Sequence, residues 1–465
     1  MLTNRASRLL GVALVIALAA CSSLLDVKNP NSVTEGDLNT PKSAANQANG
    51  ALASLARAWG QILTPYSMAT DELTWIGSRD AWQNLDQGTI SEPTNEFVDA
   101  AFFYVGEARW WDDQTIRRLN GFAASGVLAD SNALGRAYLY GALVYTMIGN
   151  LFDNFPIGSS RDTSAAPLGA TKMDSVYKIA VGYATIARTI AQNIGDQDLE
   201  LDATAARATA RYYQALWAKL NNPPPSAVPL ASPLVNDAAA VADANAALAL
   251  ATTLQLTDWR YQFHYDPTTI STDIGFEVNE RQEMRIGGVY VYPNCTVSGC
   301  STGGKTIDVD SIRLRDPIDN KRDPELTRFL LDSKNGFLNN TRWGALTFLS
   351  ARELYLIVGE AALAAGDNTG FQNAINAERA LNGLTAYTGA VGQPTAQAML
   401  QYERQRNLFL QGKRLFDEYR FAVNADIWQA GSEAITTPAT FLPITITERL
   451  ANSFCLAAPA SCAGR

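Results

Sequence analysis

The chain is poor in histidine. It has one, His264, in 465 residues, so a Ser-His-Asp triad, a Cys-His pair or a multi-histidine metal site has only that imidazole to draw on. It lies in RYQFHYDP, an aromatic stretch where a structural histidine is the expectation. Basic residues are also short. Thirty-seven Lys and Arg face 46 Asp and Glu, for a formal charge of −9, and no basic run offsets that balance, which argues against a nucleic-acid partner. Acids are plentiful, yet no pair stands out by spacing or surrounding motif as the two carboxylates of a glycoside hydrolase. No catalytic residue, cofactor or metal is therefore assigned, and a non-enzymatic protein is expected.

What is present begins with MLTNRASRLLGVALVIALAACSS. Arg5 and Arg8 precede an apolar stretch, Leu9 to Ala20, that is too short to cross a bilayer as a mature helix. This is the pattern of an export signal over residues 1–20. Leu18, Ala19, Ala20 and Cys21 resemble a bacterial lipobox, which makes Cys21 the expected lipidation site, with several acyl chains giving stable anchoring. Without residues 1–20 the chain loses two Arg and no acid, and its formal charge moves from −9 to −11. The other cysteines are Cys295, Cys300, Cys455 and Cys462. In an exported chain they read as two disulfides, and the short loops favour the local pairs Cys295 with Cys300 and Cys455 with Cys462.

The segment GCSTGGKT, Gly299 to Thr306, satisfies the letters of a phosphate-binding loop. Such a loop must leave a strand and open a helix so that backbone N–H groups converge on the phosphates. Here TIDVDSIRLRDP follows, with strand or coil rhythm, and no helix opens on Lys305. Nucleotide hydrolysis is rejected.

Apolar residues at three- and four-residue spacing predict helices over Lys42–Trp59, Glu96–Phe122, Asn132–Phe152, Met173–Ile194 and Ala203–Leu220. The connector NNPPPSAVPLASPL, Asn221 to Leu234, cannot continue a helix, and an Ala-rich helix follows over Asp237–Thr253. Residues 257–343 are loop-rich, with short alternating runs such as GGVYVYP. Helices return over Ala345–Ala365, Gly370–Leu381, Thr395–Gln411 and Lys413–Gln429, with Gly366 and Gly412 placed to end two of them. The expected fold is mainly α, a tetratricopeptide-like helical-repeat scaffold with an irregular insertion carrying short strands. Leu134, Gly135 and Tyr138 match a fragment of that repeat consensus. The expected divisions are a helical region over 21–220, a connector and insertion over 221–344, and a second helical region with the tail over 345–465.

Several segments together resemble the SusD/RagB family of outer-membrane nutrient-binding lipoproteins. LLDVKNPNSVTEGD is similar to the family's start, RAYLYGALVYTMIGNLFDNFPI to its aromatic-rich helix, and ARELYLIVGEAALAAGD with Ile375, Asn376 and Arg379 to its later helix pair. The most specific piece is ERQRNLFLQGKRLFDEYR, Glu403 to Arg420, where Glu403, Arg404, Arg406, Leu408, Gly412, Arg414, Phe416, Asp417 and Arg420 fit the signature. Asn407, Gln411 and Glu418 depart from it. FLPITITERLAN resembles the family's closing motif. At three-residue spacing on a helix, Arg414 with Asp417 and Glu403 with Arg406 are expected to pair.

The resemblance implies a surface-facing, lipid-anchored outer-membrane protein. Such a protein captures oligosaccharides or peptides for a SusC-like TonB-dependent transporter. Sugar recognition favours flat aromatic faces flanked by amides and charges, and DELTWIGSRDAWQNLDQG, after the Thr70-Asp71-Glu72 triplet, has that mixture. The candidate ligand residues are Trp75, Arg79, Asp80, Trp82 and Asn84, with the alternative that both tryptophans plug the core. Tyr290 and Tyr292, two apart on an expected strand and so on one face, form a second candidate patch.

Overall fold

The computed structural model describes residues 35–159, 164–221, 230–268, 270, 272–292, 309–340 and 342–464. The expected export signal with Cys21, most of the proline-rich connector, Cys295, Cys300 and the GCSTGGKT segment lie outside the described residues.

The scaffold is a succession of helices in which each packs on the next: α1 (Ala44–Met68), α3 (Glu96–Ala124), α4 (Ser131–Leu151), α5 (Asp174–Ile194), α6 (Gln197–Asn221) and α7 (Ala238–Thr253). The short helix α2 (Asp80–Asp86) lies between α1 and α3. A second group, α9 (Ala351–Ala364), α10 (Asn368–Ala380) and α11 (Ala396–Asn407), continues the array through contact of α9 with α7. The helical-repeat architecture expected from the sequence is therefore the observed one.

Local chemistry accounts for these elements. Asn95, Asp130 and Asp237 cap α3, α4 and α7 by accepting backbone N–H groups of the first turn. α4 is apolar nearly all round, SNALGRAYLYGALVYTMIGNL, and a helix of that kind belongs inside. Every residue from Ala137 to Leu151 is buried. Its small residues let neighbours approach: a Cβ on Gly141 would stand 2.7 Å from the Tyr183 ring, and one on Gly149 2.5 Å from that of Tyr177.

Two antiparallel strand pairs tie the loop-rich section to the helices. β1 (Leu73–Trp75) pairs with β3 (Met284–Ile286), Leu73 opposite Ile286. β2 (Arg260–Phe263) pairs with β4 (Leu346–Ser350). The helix expected from Ala345 thus begins only at Ala351. Its first six expected residues include the β4 run LTFLS, which is buried at every position and finds a strand partner that periodicity does not reveal. One further helix, α8 (Pro324–Leu331), sits in the same section.

After α11 the chain turns and opens α12 (Arg414–Phe421). Gly412 is left-handed at φ +65, and a Cβ there would meet Trp59 at 2.7 Å. The helix expected to run to Gln429 stops at Phe421, where Ala422 adopts φ 52 and closes the last turn. The core is continuous from Ala44 to Cys462, with a smaller cluster around Leu356, Phe371, Ile375 and Met399. Cys455 and Cys462 form the expected disulfide. No helix among the described residues is long and apolar enough to cross a membrane.

Candidate functional site

The signature segment is structural. Arg352, Arg379, Arg404, Arg406 and Arg420 are each at most 1% exposed, so their charges need partners in place. Arg404 meets Asp417 at 2.8 Å, and Arg420 meets the same carboxylate at 2.8 Å. Arg406 meets Glu378 at 2.6 Å, while Arg379 bridges Asp316 and Glu403, both at 2.7 Å. Burial pushes the Asp417 carboxyl up, but Arg404 and Arg420 outweigh it and hold it below its usual range. Glu403 and Arg406 pair as their spacing suggests. Arg414 and Asp417 do not. Asp417 is held by Arg404 and Arg420, while Arg414 reaches Asp71 at the far end of the sequence, Nε donating at 2.8 Å.

That contact shows what the Thr70-Asp71-Glu72 triplet does here. Asp71 accepts from Arg414 and from the Tyr290 hydroxyl, and Glu72 accepts the Leu410 N–H at 2.7 Å and the Ser67 hydroxyl at 2.8 Å. Burial pushes the Glu72 carboxyl up to about 8. The triplet seats the first helical region on the corner before α12.

Beyond it, the candidate ligand residues separate. Trp82 is fully buried and stacks on Phe97 with centroids 3.7 Å apart and planes 7° apart. It is a core residue, and its faces are closed to a ligand. Tyr290 is likewise 0% exposed, against Phe409. The expected strand through Tyr290 and Tyr292 is a turn instead, with Tyr290 N–H donating to the Gly287 carbonyl. Shared facing is lost, and Tyr292 alone reaches the surface, 6.0 Å from the Arg313 guanidinium. Trp75 is half-buried on β1, its backbone N–H donating to Asp86 at 2.9 Å. Arg79 pairs with Glu96 at 2.9 Å and lies over Phe97, while Asp80 and Asn84 are exposed on α2. The loop thus offers polar groups at the surface with one partly open ring. His264 is exposed just past β2.

A concave surface lies elsewhere. A groove of about 970 Å³ runs between the first half of α3, the loop around Phe155–Gly158 and the short helix α13 (Ile446–Ala451). Asp99, Phe103, Gly106 and Trp110 recur at four, three and four residues, so they share one face of α3. Phe103 is 64% exposed, and Tyr104 and Trp110 are partly open beside it. Phe102 and Phe155 form the floor, centroids 4.8 Å apart. The opposite wall is fastened by Asp99, which accepts the Thr447 N–H and hydroxyl, and by Asn452, which donates to the Ala165 carbonyl at 2.8 Å. The sequence carried a signal for this site, EFVDAAFFYVGEARWW, in which aromatics intrude on the polar face of a helix. It reads as core because the open rings are interleaved with a core ring, Phe102.

Among the described residues no group of acids, cysteines and histidine is arranged to hold a metal ion. What the groove offers is open aromatic surface bordered by carboxylates, which is binding chemistry.

The class of protein set by these features is a helical-repeat scaffold with an open aromatic groove. Residues 352–444 match the SusD family model. Solved structures of SusD superfamily proteins share the fold along most of the chain. A SusD homologue from Bacteroides thetaiotaomicron has a TM-score of 0.58 at 14% identity, covering 90% of this chain and 97% of its own. One from Bacteroides fragilis gives 0.56 at 13%, with 90% and 98% covered. One from Parabacteroides distasonis gives 0.54 at 14%, with 90% and 98% covered. No curated protein matches the chain. The resemblance to the SusD/RagB family carried by the 403–420 segment is thereby shown, in the matched segment and in the fold.

Proposed function

We propose that this chain is a substrate-capturing protein. In this reading it takes up oligosaccharides, or peptides, at the cell surface and passes them to a SusC-like TonB-dependent transporter, held to the outer membrane by lipid on Cys21. It binds and carries out no reaction. The observation that carries the reading is the groove on α3: a ring as large as Phe103, 64% exposed, stands in a concavity on a scaffold with the SusD fold. Contiguous apolar surface left open in a groove marks an interaction site, and a pyranose or an apolar side chain fits such a face.

The test is a glycan and peptide array probed with the wild-type protein, followed by calorimetry on Phe103→Ala. Affinity for the selected ligand should fall at least about fivefold, the scale of one lost aromatic contact, with no change in the thermal melt. Full affinity in this variant moves the site to the Trp75–Asn84 loop and Tyr292. Capture at the membrane is tested separately. Cys21→Ser should leave an unacylated precursor, and the wild-type protein should co-purify with the transporter from outer membranes.

A further inference from the structure

We infer that the α3 groove takes an oligosaccharide bearing free amino groups, of the glucosamine type, in preference to neutral or uronate sugars. The inference rests on the groove being the binding site proposed above.

The sign of its charge is the first reason. Asp99, Glu107 and Glu448 line the groove, and among the described residues lining it the one cation is Arg109. Arg109 is buried, and its Nη1 is already engaged by Asp113 at 3.1 Å and by the Gly158 carbonyl. The acids are not neutralised to the same degree. Asp99 accepts from the amide and hydroxyl of Thr447, and Glu448 accepts from the Asn452 amide at 2.8 Å. These are neutral donors, not cations.

The second reason is a pairing within the molecule. The Arg57 guanidinium lies 5.6 Å above the Tyr104 ring and 3.8 Å from Glu107, between an aromatic face and a carboxylate. Next along α3, Phe103 and Asp99 repeat the combination of ring and carboxylate on one helix face, and among the described residues no cation lies over the Phe103 ring. An ammonium group placed there gains both cation–π and Coulomb attraction. An anionic sugar meets repulsion at the same point.

The third reason favours a sugar over a peptide. One mode of peptide capture pairs the peptide's main chain with a strand edge. None of the four strands lines the groove, and Pro156 on its wall, bridged to Pro167, has no N–H to offer. Side-chain polar groups remain. The Thr445 hydroxyl lines the groove, is buried, and has no hydrogen-bond partner in the protein, which suits a ligand rich in hydroxyls.

The test is calorimetric titration of the full chain with glucosamine tetramer, its fully N-acetylated counterpart, galacturonate tetramer and tetralysine, at low and at physiological ionic strength. The amino tetramer should bind about tenfold tighter than the acetylated one at low salt, the scale of two exposed charge pairs. The preference should shrink as salt rises. Asp99→Asn with Glu448→Gln should abolish the preference, read as the ratio of the two tetramers' affinities. Equal binding of the acetylated or galacturonate tetramer overturns the inference, and so does tighter binding of tetralysine. If Phe103→Ala weakens the acetylated tetramer in that event, the groove stands as the site and only the charge selectivity falls. If no sugar or peptide responds to Phe103→Ala, the groove itself is rejected. The salt dependence is measured on wild type, so it decides even if the double variant does not fold.

Discussion

Two regions of this molecule are rich in charged and aromatic side chains, and they use them in opposite ways. At the corner formed by α11 and α12, arginines and carboxylates are almost wholly buried and answer one another. In the groove on α3, carboxylates and rings stand open, and Phe103 is nearly two-thirds exposed. Residue type therefore says little about role. Burying a charge costs several kcal/mol unless a partner is fixed beside it, and at the corner each buried charge has such a partner. The corner joins Asp71 and Glu72 near the first helix to Arg414 and Leu410 near the end. The groove bears no such cost, and its open surface is free to meet a ligand.

The sharpest way to break this contrast is at the corner. Arg420→Ala leaves Glu360 and Asp417 each short of a buried partner, and should destabilise the fold by about 3–5 kcal/mol, read by chemical denaturation. Ligand affinity per folded molecule should be unchanged. A variant as stable as wild type would mean that the network is not what holds the two ends together.

Trp82→Ala comes next. As a buried ring stacked on Phe97, Trp82 should cost about 3–5 kcal/mol when truncated, and the melt should drop without a selective loss of binding. A stable variant with lost affinity would return Trp82 to the ligand face.

Acidity separates carboxylates within the framework. Burial pushes the Asp86 carboxyl up to about 7, against the hydrogen bonds from Trp75 and Thr74. The folded state then holds a proton that the unfolded state releases near pH 4, so this residue makes stability fall as pH rises from about 4 to about 7. The slope is up to about 1.4 kcal/mol per pH unit, and Asp86→Asn should flatten it. Glu325 behaves in the opposite sense. Burial pushes it up, yet the hydrogen bond from Arg328 and the charges of Arg352 and Arg260 hold it at about 2. Its contribution is present above about pH 4 and lost as pH falls toward 2, and Glu325→Gln should remove that acid limb. Urea titrations across pH 2–8 read both.

The smallest effect on stability belongs to the groove. Phe103→Ala should change the fold by well under about 1 kcal/mol, while the array-selected ligand binds less tightly. A collapsed melt would show that the ring is packed in solution and that the groove is closed.

Much of the helical frame was legible from spacing. The predicted α3, α4, α5 and α6 stripes coincide with observed helices to within a few residues, because a helix in a stack must bury one face and the period shows which. The Cys455–Cys462 pair was legible for a similar local reason. The β4 run and the early end of α12 were not. LTFLS is five residues long and buried at every position, too short for its period to distinguish strand from helix, and the partner strand that decides the matter lies more than 80 residues away. The site was read least well. Trp82 and Tyr290 share the composition of a sugar platform, but exposure is a property of what packs above a ring.

What the sequence by itself determined is the repeating helical plan and the signature of the corner, since these follow from spacing and local chemistry. Only the tertiary structure decided that Arg414 pairs with Asp71 rather than Asp417, and that Phe103 rather than Trp82 faces solvent. Both outcomes depend on segments far apart in the chain meeting in space. A charge or a ring takes its role from the neighbours that such meetings supply.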